Sequence, residues 1–160
     1  MIHMPKYEKI WMAVGTGSLI LFLIVLGIMA GTMGLNPPDG METTVEPENV
    51  EASAPFDQPG LKQIGPNEYE AVILSYIFGY KPNQITVPEG STVHFKITSK
   101  DVVHGFFVPG TTTNLMAVPG HVAEYTQTFD EAGEYLFVCH EYCGSGHHLM
   151  YGNIIVEEKM

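Results

Sequence analysis

The 160-residue chain contains no arginine, and its seven basic residues are all lysines. Nucleic-acid binding rests on Lys and Arg contacts to phosphate. After residue 33 five lysines face seventeen acids, a formal charge of −12 over that stretch, so the composition excludes nucleic acid as a partner. Such a surface suits a basic protein partner, because opposite fields speed encounter, and it equally serves plain solubility. Cysteine is scarce as well. Cys139 and Cys143 are too few for a disulfide scaffold, and their close spacing points to a local site. The sequence has no internal repeat, and no long amphipathic helical pattern follows residue 34.

What is present begins with an apolar run. From Trp11 to Met33 there are 23 residues without a formal charge, WMAVGTGSLILFLIVLGIMAGTM. At 1.5 Å per residue this makes roughly 34 Å of helix, enough to cross a bilayer core. Tyr7 and Trp11 fall where an interfacial aromatic belt would lie. A cleaved signal peptide has a shorter apolar region of about 7–15 residues, and no Ala-x-Ala site follows this one. Residues 1–34 therefore read as a single-pass anchor in membrane lipid. Lys6 and Lys9 precede the run, whereas Asp39 to Asp57 holds acids and no lysine. The positive-inside rule places the N-terminus in the cytoplasm and the rest on the extracellular or periplasmic side of the cell membrane.

Residues 35–60 read as an acidic, Pro-rich linker. Pro37, Pro38, Pro47, Pro55 and Pro59 punctuate it among Glu42, Glu46, Glu48 and Glu51. Little apolar surface is available there to offset chain entropy, so order is expected against a partner. Residues 61–160 read as all-β. Val72, Leu74, Tyr76 and Phe78 alternate along one run, and Val93, Phe95 and Ile97 along another, with His94 and Lys96 opposite. Further runs cover 102–108, 121–129, 134–139 and 151–157, separated by turn signals such as Pro82-Asn83, Pro88-Glu89-Gly90 and Pro119-Gly120. Closely spaced strands over this length predict a sandwich or small barrel.

Chemistry concentrates in Cys139-His-Glu-Tyr-Cys-Gly-Ser-Gly-His-His-Leu-Met150, where two thiols, an imidazole and a thioether fall within twelve residues. The segment leaves one hydrophobic strand and enters another, and Gly144 and Gly146 allow a tight turn. Thiolate and thioether are soft ligands that favour copper. A mononuclear blue site needs one Cys, two His and a weak axial Met, so one Cys is in excess. Zinc accepts two Cys and two His but has little use for Met150. Two thiolates can instead bridge two coppers, each completed by one His and one weak ligand, which requires a second His from elsewhere. His104, at the start of an apolar run beside Gly105, is the candidate. A lone His is ordinarily structural; the late cluster is what singles this one out. One electron spread over two metals and two sulfurs changes bond lengths little, so the chemistry expected is fast one-electron exchange. Asp101 reads either as an orienting group for His104 or as a turn acid. Tyr76, Phe78 and Phe106 could shape an electron-accepting surface or pack inward. His140 and His148 are expected to face away from the site, and His3, His94 and His121 to be ordinary surface or loop histidines.

The pattern Cys139-x-Glu141-x-Cys143-Gly-x-x-His147-x-x-Met150, with Asp101-Val-Val-His104 upstream, resembles the CuA motif of cytochrome c oxidase subunit II. The resemblance covers the anchor and the whole β-region. The single anchor, the short linker and the run Ile77-Phe-Gly-Tyr-Lys-Pro-Asn are more similar to the ba-type haem–copper oxidases, and the chain departs from the two-helix pattern of most other subunits II. The resemblance implies a cupredoxin-like Greek-key barrel behind one N-terminal transmembrane helix. It implies that Cys139 and Cys143 bridge a binuclear copper centre, that His104 and His147 each bind one copper, and that Met150 and the backbone carbonyl of Glu141 are axial ligands. In many relatives the carboxylate at the Glu141 position also meets magnesium or manganese at the boundary with subunit I. The implied partners are a haem-containing subunit I, which carries haem and a second copper site, and cytochrome c or a similar one-electron donor. The implied activity is reduction of dioxygen to water in subunit I, coupled to proton pumping. Two other readings stay open. A free-standing membrane-anchored cupredoxin carrier is poorly separated by sequence. A copper-delivery chaperone of the thioredoxin-fold kind should carry its Cys pair early, before a helix, rather than late and between strands.

Overall fold

A computed structural model of the chain describes residues 5–33 and 43–159. His3, Pro37, Pro38, Asp39 and Glu42 lie outside the described residues. The helix and the β-domain form separate units. The helix α1, Lys6–Met33, is unbroken over 28 residues. Four successive side chains, Leu21, Phe22, Leu23 and Ile24, are all more than half exposed, between 54% and 63%. A helix that is apolar all round is stable only in lipid or in a protein core, and α1 is long and apolar enough to cross a membrane.

The β-domain is built from two sheets. The first contains β1 (Gly60–Gly65), β2 (Glu68–Tyr76), β5 (Ser91–Ser99) and β8 (Ala123–Phe129) in that order, with the short β3 (Gly79–Lys81) also paired to β2. The second runs β4 (Gln84–Pro88), β10 (Tyr151–Glu157), β9 (Gly133–Val138), β6 (His104–Phe107) and β7 (Asn114–Ala117). Most pairs are antiparallel; β2 with β5 and β4 with β10 are parallel. The inner faces meet in one core that draws Ala71, Ile73, Phe95 and Ile97 from the first sheet and Ile85, Phe106, Phe137, Ile154 and Val156 from the second. Its centre is aromatic: Phe106 lies 4.8 Å from Phe137 and 5.4 Å from Phe95, centroid to centroid. The architecture is a mostly β, cupredoxin-like fold: two packed sheets, as the strand pattern predicted, in the form that the resemblance implied.

The structure departs from the sequence reading at β2. Val72 and Leu74 were expected on the inward face of a one-sided strand. Instead Ala71, Ile73 and Ser75 are buried as well, and Val72 and Leu74 face a second cluster with Val50, Phe56 and Val122. A strand covered on both faces carries an apolar run rather than an alternation. The cover comes from the stretch after Thr43. It hydrogen-bonds the domain through Val45 N–H to Gly120 O (3.0 Å) and Val122 N–H to Thr43 O (2.9 Å), and turns in a 3-10 helix over Pro47–Ala52. This part of the acidic, Pro-rich stretch is therefore ordered on its own domain. Two apolar residues suffice, since burying a side chain such as Val or Phe contributes about 1.5–3 kcal/mol. Strands β1, β3, β4 and β7 were not marked by the sequence pattern.

The topology brings one end of the second sheet to a focus. β9 ends at Val138, which pairs with Phe107 of β6 and with Tyr151 at the start of β10. The loop 139–150 is closed at its base by Cys139 N–H donating to Met150 O (3.1 Å).

Candidate metal centre

His104, Cys139 and Cys143 are all buried, and one ligand atom from each lies within 4.8 Å of the others. The two Sγ atoms are 3.9 Å apart, far longer than a disulfide bond of about 2.05 Å. The Cys143 Sγ also lies 3.7 Å from Met150 Sδ and 3.7 Å from His147 Nδ1. The Cys139 thiol faces the carbonyl of Glu141 at 3.1 Å. All six residues singled out in the sequence thus converge, Glu141 through its backbone. Its carboxylate points elsewhere, 3.9 Å from His140 Nε2, and is not part of the three-residue group.

Local sequence explains each placement. His104 opens β6, and Asp101 Oδ1 accepts a 2.7 Å hydrogen bond from its Nε2. The same carboxylate accepts from Ile77 N–H and Val102 N–H, each at 2.7 Å. Burial alone would raise the Asp101 pKa, but the bonds from His104, Ile77 and Val102 outweigh it and hold it below the usual carboxylate value. An ionised Asp101 fixes the hydrogen on His104 Nε2 and leaves Nδ1 as the lone-pair nitrogen. That Nδ1 is buried and, among the described residues, has no hydrogen-bond partner. Both sequence readings of Asp101 therefore hold: it caps a turn and orients the imidazole.

The late loop turns through His147 N–H to Gly144 O (3.1 Å) and Met150 N–H to His147 O (3.1 Å). Phe78 lies on it. A Cβ at Gly144 would sit 2.9 Å from its ring, and one at Gly146 only 2.4 Å, so both positions need glycine for this contact. Phe106 is in the core and Tyr76 is partly exposed. His140 and His148 face away, as expected, and His94 bonds Thr126 Oγ1 at 2.9 Å on the outer face of β5. Met116 is exposed on β7.

Sequence reasoning missed two neighbours of the cluster. Gly105 N–H donates to Cys139 Sγ at 3.3 Å, and Tyr80 O–H donates to Gly105 O at 2.5 Å. Burial, and then the nearby Cys139, push the Tyr80 phenol upward. The Gly105 signal was visible as a glycine beside His104, but not its meaning.

The donor set fits a soft cation. A buried imidazole nitrogen without a partner costs about 1–3 kcal/mol, a penalty that ligation removes. The Cys143 thiol is pushed up to about 11, first by burial and then by Cys139, so a bound cation must displace its proton. Two thiols, a thioether and imidazole select copper over hard cations.

Fold and site together define a cupredoxin-like, copper-associated domain. A family model described as cytochrome C oxidase subunit II, periplasmic domain, matches residues 77–159, and a cytochrome c oxidase subunit 2 of Thermus thermophilus is 42% identical over 156 residues, 95% of this chain and 92% of that one. The chain belongs to the cytochrome c oxidase subunit II family. A second Thermus thermophilus subunit 2 is 44% identical over 129 residues, covering 79% of this chain and 95% of that one. Among solved structures, a chain of a haem–copper terminal oxidase dimer matches with TM-score 0.80 at 36% identity, covering 95% of this chain and 100% of that one. The periplasmic domain of the Bradyrhizobium japonicum subunit II, at 21% identity and TM-score 0.52 over 56% of this chain and 84% of that one, shares the fold. Subunits of this family bind CuA copper, and the chain is a component of a haem–copper oxidase, an oxidoreductase complex.

Proposed function

We propose that this chain is the electron-accepting subunit of its oxidase. It would hold two copper ions bridged by Cys139 and Cys143, with His104 on one, His147 on the other, and Met150 and the Glu141 carbonyl as weak ligands. The observation that carries the reading is the pair of buried thiols 3.9 Å apart beside the unpartnered, buried His104 Nδ1. When bound, such a pair supplies reversible one-electron exchange. The chain's own part is to keep the donors still. Asp101 fixes His104, the Cys139–Met150 backbone bond closes the loop, and Phe78 lies on its two glycines. Donors that barely shift between oxidation states make exchange fast.

On this reading electrons arrive singly from cytochrome c or a similar carrier, for which the acidic surface favours a basic face. They pass to haem in subunit I, where a second copper site takes part in dioxygen reduction and protons are pumped. Residues 1–34 anchor the chain with the N-terminus in the cytoplasm, and of the stretch 35–60 expected to link, the part from Thr43 onward belongs with residues 61–160 in the domain that carries the metal. The Glu141 carboxylate offers one ligand to a magnesium ion at the subunit I boundary, where the rest of its shell would come from that subunit. A chaperone reading is disfavoured because the Cys pair joins two strands rather than leading into a helix.

The test is copurification combined with metal analysis. Solubilised membranes are expected to yield this chain bound to a large haem-containing subunit, with two coppers on the chain sharing one unpaired spin. Recovery of the chain alone, fully competent in electron transfer, would favour a free-standing carrier; one copper per chain would end the binuclear assignment. A milder change is expected of Met150→Leu. The swap roughly conserves volume and costs under about 1.5 kcal/mol of stability. Copper content should persist while a redox titration shows a changed potential, because a weak axial ligand tunes the site rather than holding it. Loss of copper from this variant would mean that Met150 is a structural ligand.

A further inference from the structure

Tyr80 sits on β3 of the first sheet, yet its hydroxyl bonds the backbone of Gly105 on β6 of the second. It is a polar tie across an otherwise apolar core, and the side chain is only 2% exposed. The ring does not need the hydroxyl to stay in place. It packs edge-on against Phe106 (5.9 Å, 82°) and Phe137 (5.1 Å, 79°), contacts a phenylalanine would keep. A buried hydroxyl has to be satisfied or it costs stability, so for the core alone phenylalanine would serve as well.

The residue it grips is the one that touches the site. Gly105 is buried, and its N–H donates to Cys139 Sγ at 3.3 Å. A Cβ on Gly105 would lie 2.1 Å from the His140 ring and 2.7 Å from the His140 backbone nitrogen. The absence of a side chain is thus what lets the β6 backbone approach the Cys139–His140 stretch. Gly105 is held from two directions, by that close approach and by the Tyr80 hydroxyl. Hydrogen bonding at a metal-bound cysteine sulfur tunes the redox potential of the metal, since a donor draws negative charge from the sulfur and favours the reduced state.

We infer that Tyr80 is a positioning residue for the copper centre: by holding Gly105, it fixes the N–H···S contact to Cys139 and thereby raises the reduction potential. This rests on the binuclear copper reading above. The hydroxyl bonds the Gly105 carbonyl and the sulfur receives the Gly105 N–H, so the effect works through the position of the strand rather than through one polarised amide.

The experiment uses the full chain, copper-loaded, in detergent. Tyr80→Phe is expected to keep two coppers and the shared spin while its potential falls. At the potential where the unmodified protein is half reduced, the reduced-to-oxidised ratio should drop about three- to tenfold, tenfold being 59 mV for one electron. Tyr135→Phe, which removes a hydroxyl bonded to Glu131 O at 3.0 Å, should leave the potential unchanged. A second measurement needs no variant. Electron–nuclear double resonance on the glycine-15N-labelled protein, in H2O and in D2O, should find one exchangeable amide proton coupled to the spin centre. An unchanged potential in a copper-replete Tyr80→Phe protein, or no coupled glycine amide in the unmodified protein, overturns the inference. If Tyr80→Phe fails to load copper, the resonance experiment decides alone. If the unmodified chain shows no shared-spin copper signal, the proposed function falls and takes this inference with it, an outcome distinct from a normal signal with an unmoved potential.

Discussion

Replacing Cys143 with serine is expected to abolish the two-copper signature, leaving one copper or none and no spin shared across two nuclei. The Cys143 sulfur is the hub of the cluster. It lies within 3.9 Å of Cys139 Sγ, 3.7 Å of His147 Nδ1 and 3.7 Å of Met150 Sδ. A serine oxygen is harder and shorter, and at neutral pH it keeps its proton where a metal-bound thiol gives its own up. Loss of groups that merely orient ligands costs about 10–100-fold in metal affinity, so loss of a bridging ligand should exceed that range. Copper analysis and electron spin resonance check the outcome. An unchanged absorption spectrum and copper content would show that Cys143 bridges nothing. Cys139→Ser should behave alike, since its sulfur sits opposite and receives the Gly105 N–H.

The largest loss of stability is expected from Phe137→Ala. Phe137 is fully buried, lies 4.8 Å from Phe106 and 5.1 Å from Tyr80, and is fitted so closely that a Cβ on the facing Gly152 would come within 2.3 Å of its ring. Truncating a buried Phe costs about 3–5 kcal/mol, part of it for the cavity left behind. A typical domain has about 5–15 kcal/mol in total, so denaturant titration should show a transition moved far toward native conditions. Copper retention should weaken too, because Phe137 lies two residues before Cys139 on the strand that delivers it. A loss below about 1 kcal/mol would mean that the aromatic centre of the core repacks without it.

The metal cluster was legible because its chemistry is local. Cys139, Glu141, Cys143, His147 and Met150 occupy one loop, and their soft donors point to a metal from residue type and spacing alone. His104 was reachable because the late cluster calls for a second imidazole and this one opens an apolar run beside Gly105. The long strands were legible where one face alone is buried, as along β5, whose Val93, Phe95 and Ile97 point inward. Legibility failed where contacts join distant positions. Tyr80 meets Gly105 across 25 residues, and Cys139 receives its hydrogen bond from 34 residues away. Neither leaves a periodic trace. Val50 and Phe56 were hidden for a related reason: two apolar residues among prolines and glutamates look like a solvated linker until Val72 and Leu74 are seen to need a cover. The short β7 offers only two inward positions, Leu115 and Ala117, too few for an alternation to stand out.

That cover bears on where the smallest self-sufficient piece of this protein begins. A fragment starting at the first strand would leave Val72 and Leu74 as a greasy stripe open to water and to other copies of itself. One starting at Thr43 brings its own lid.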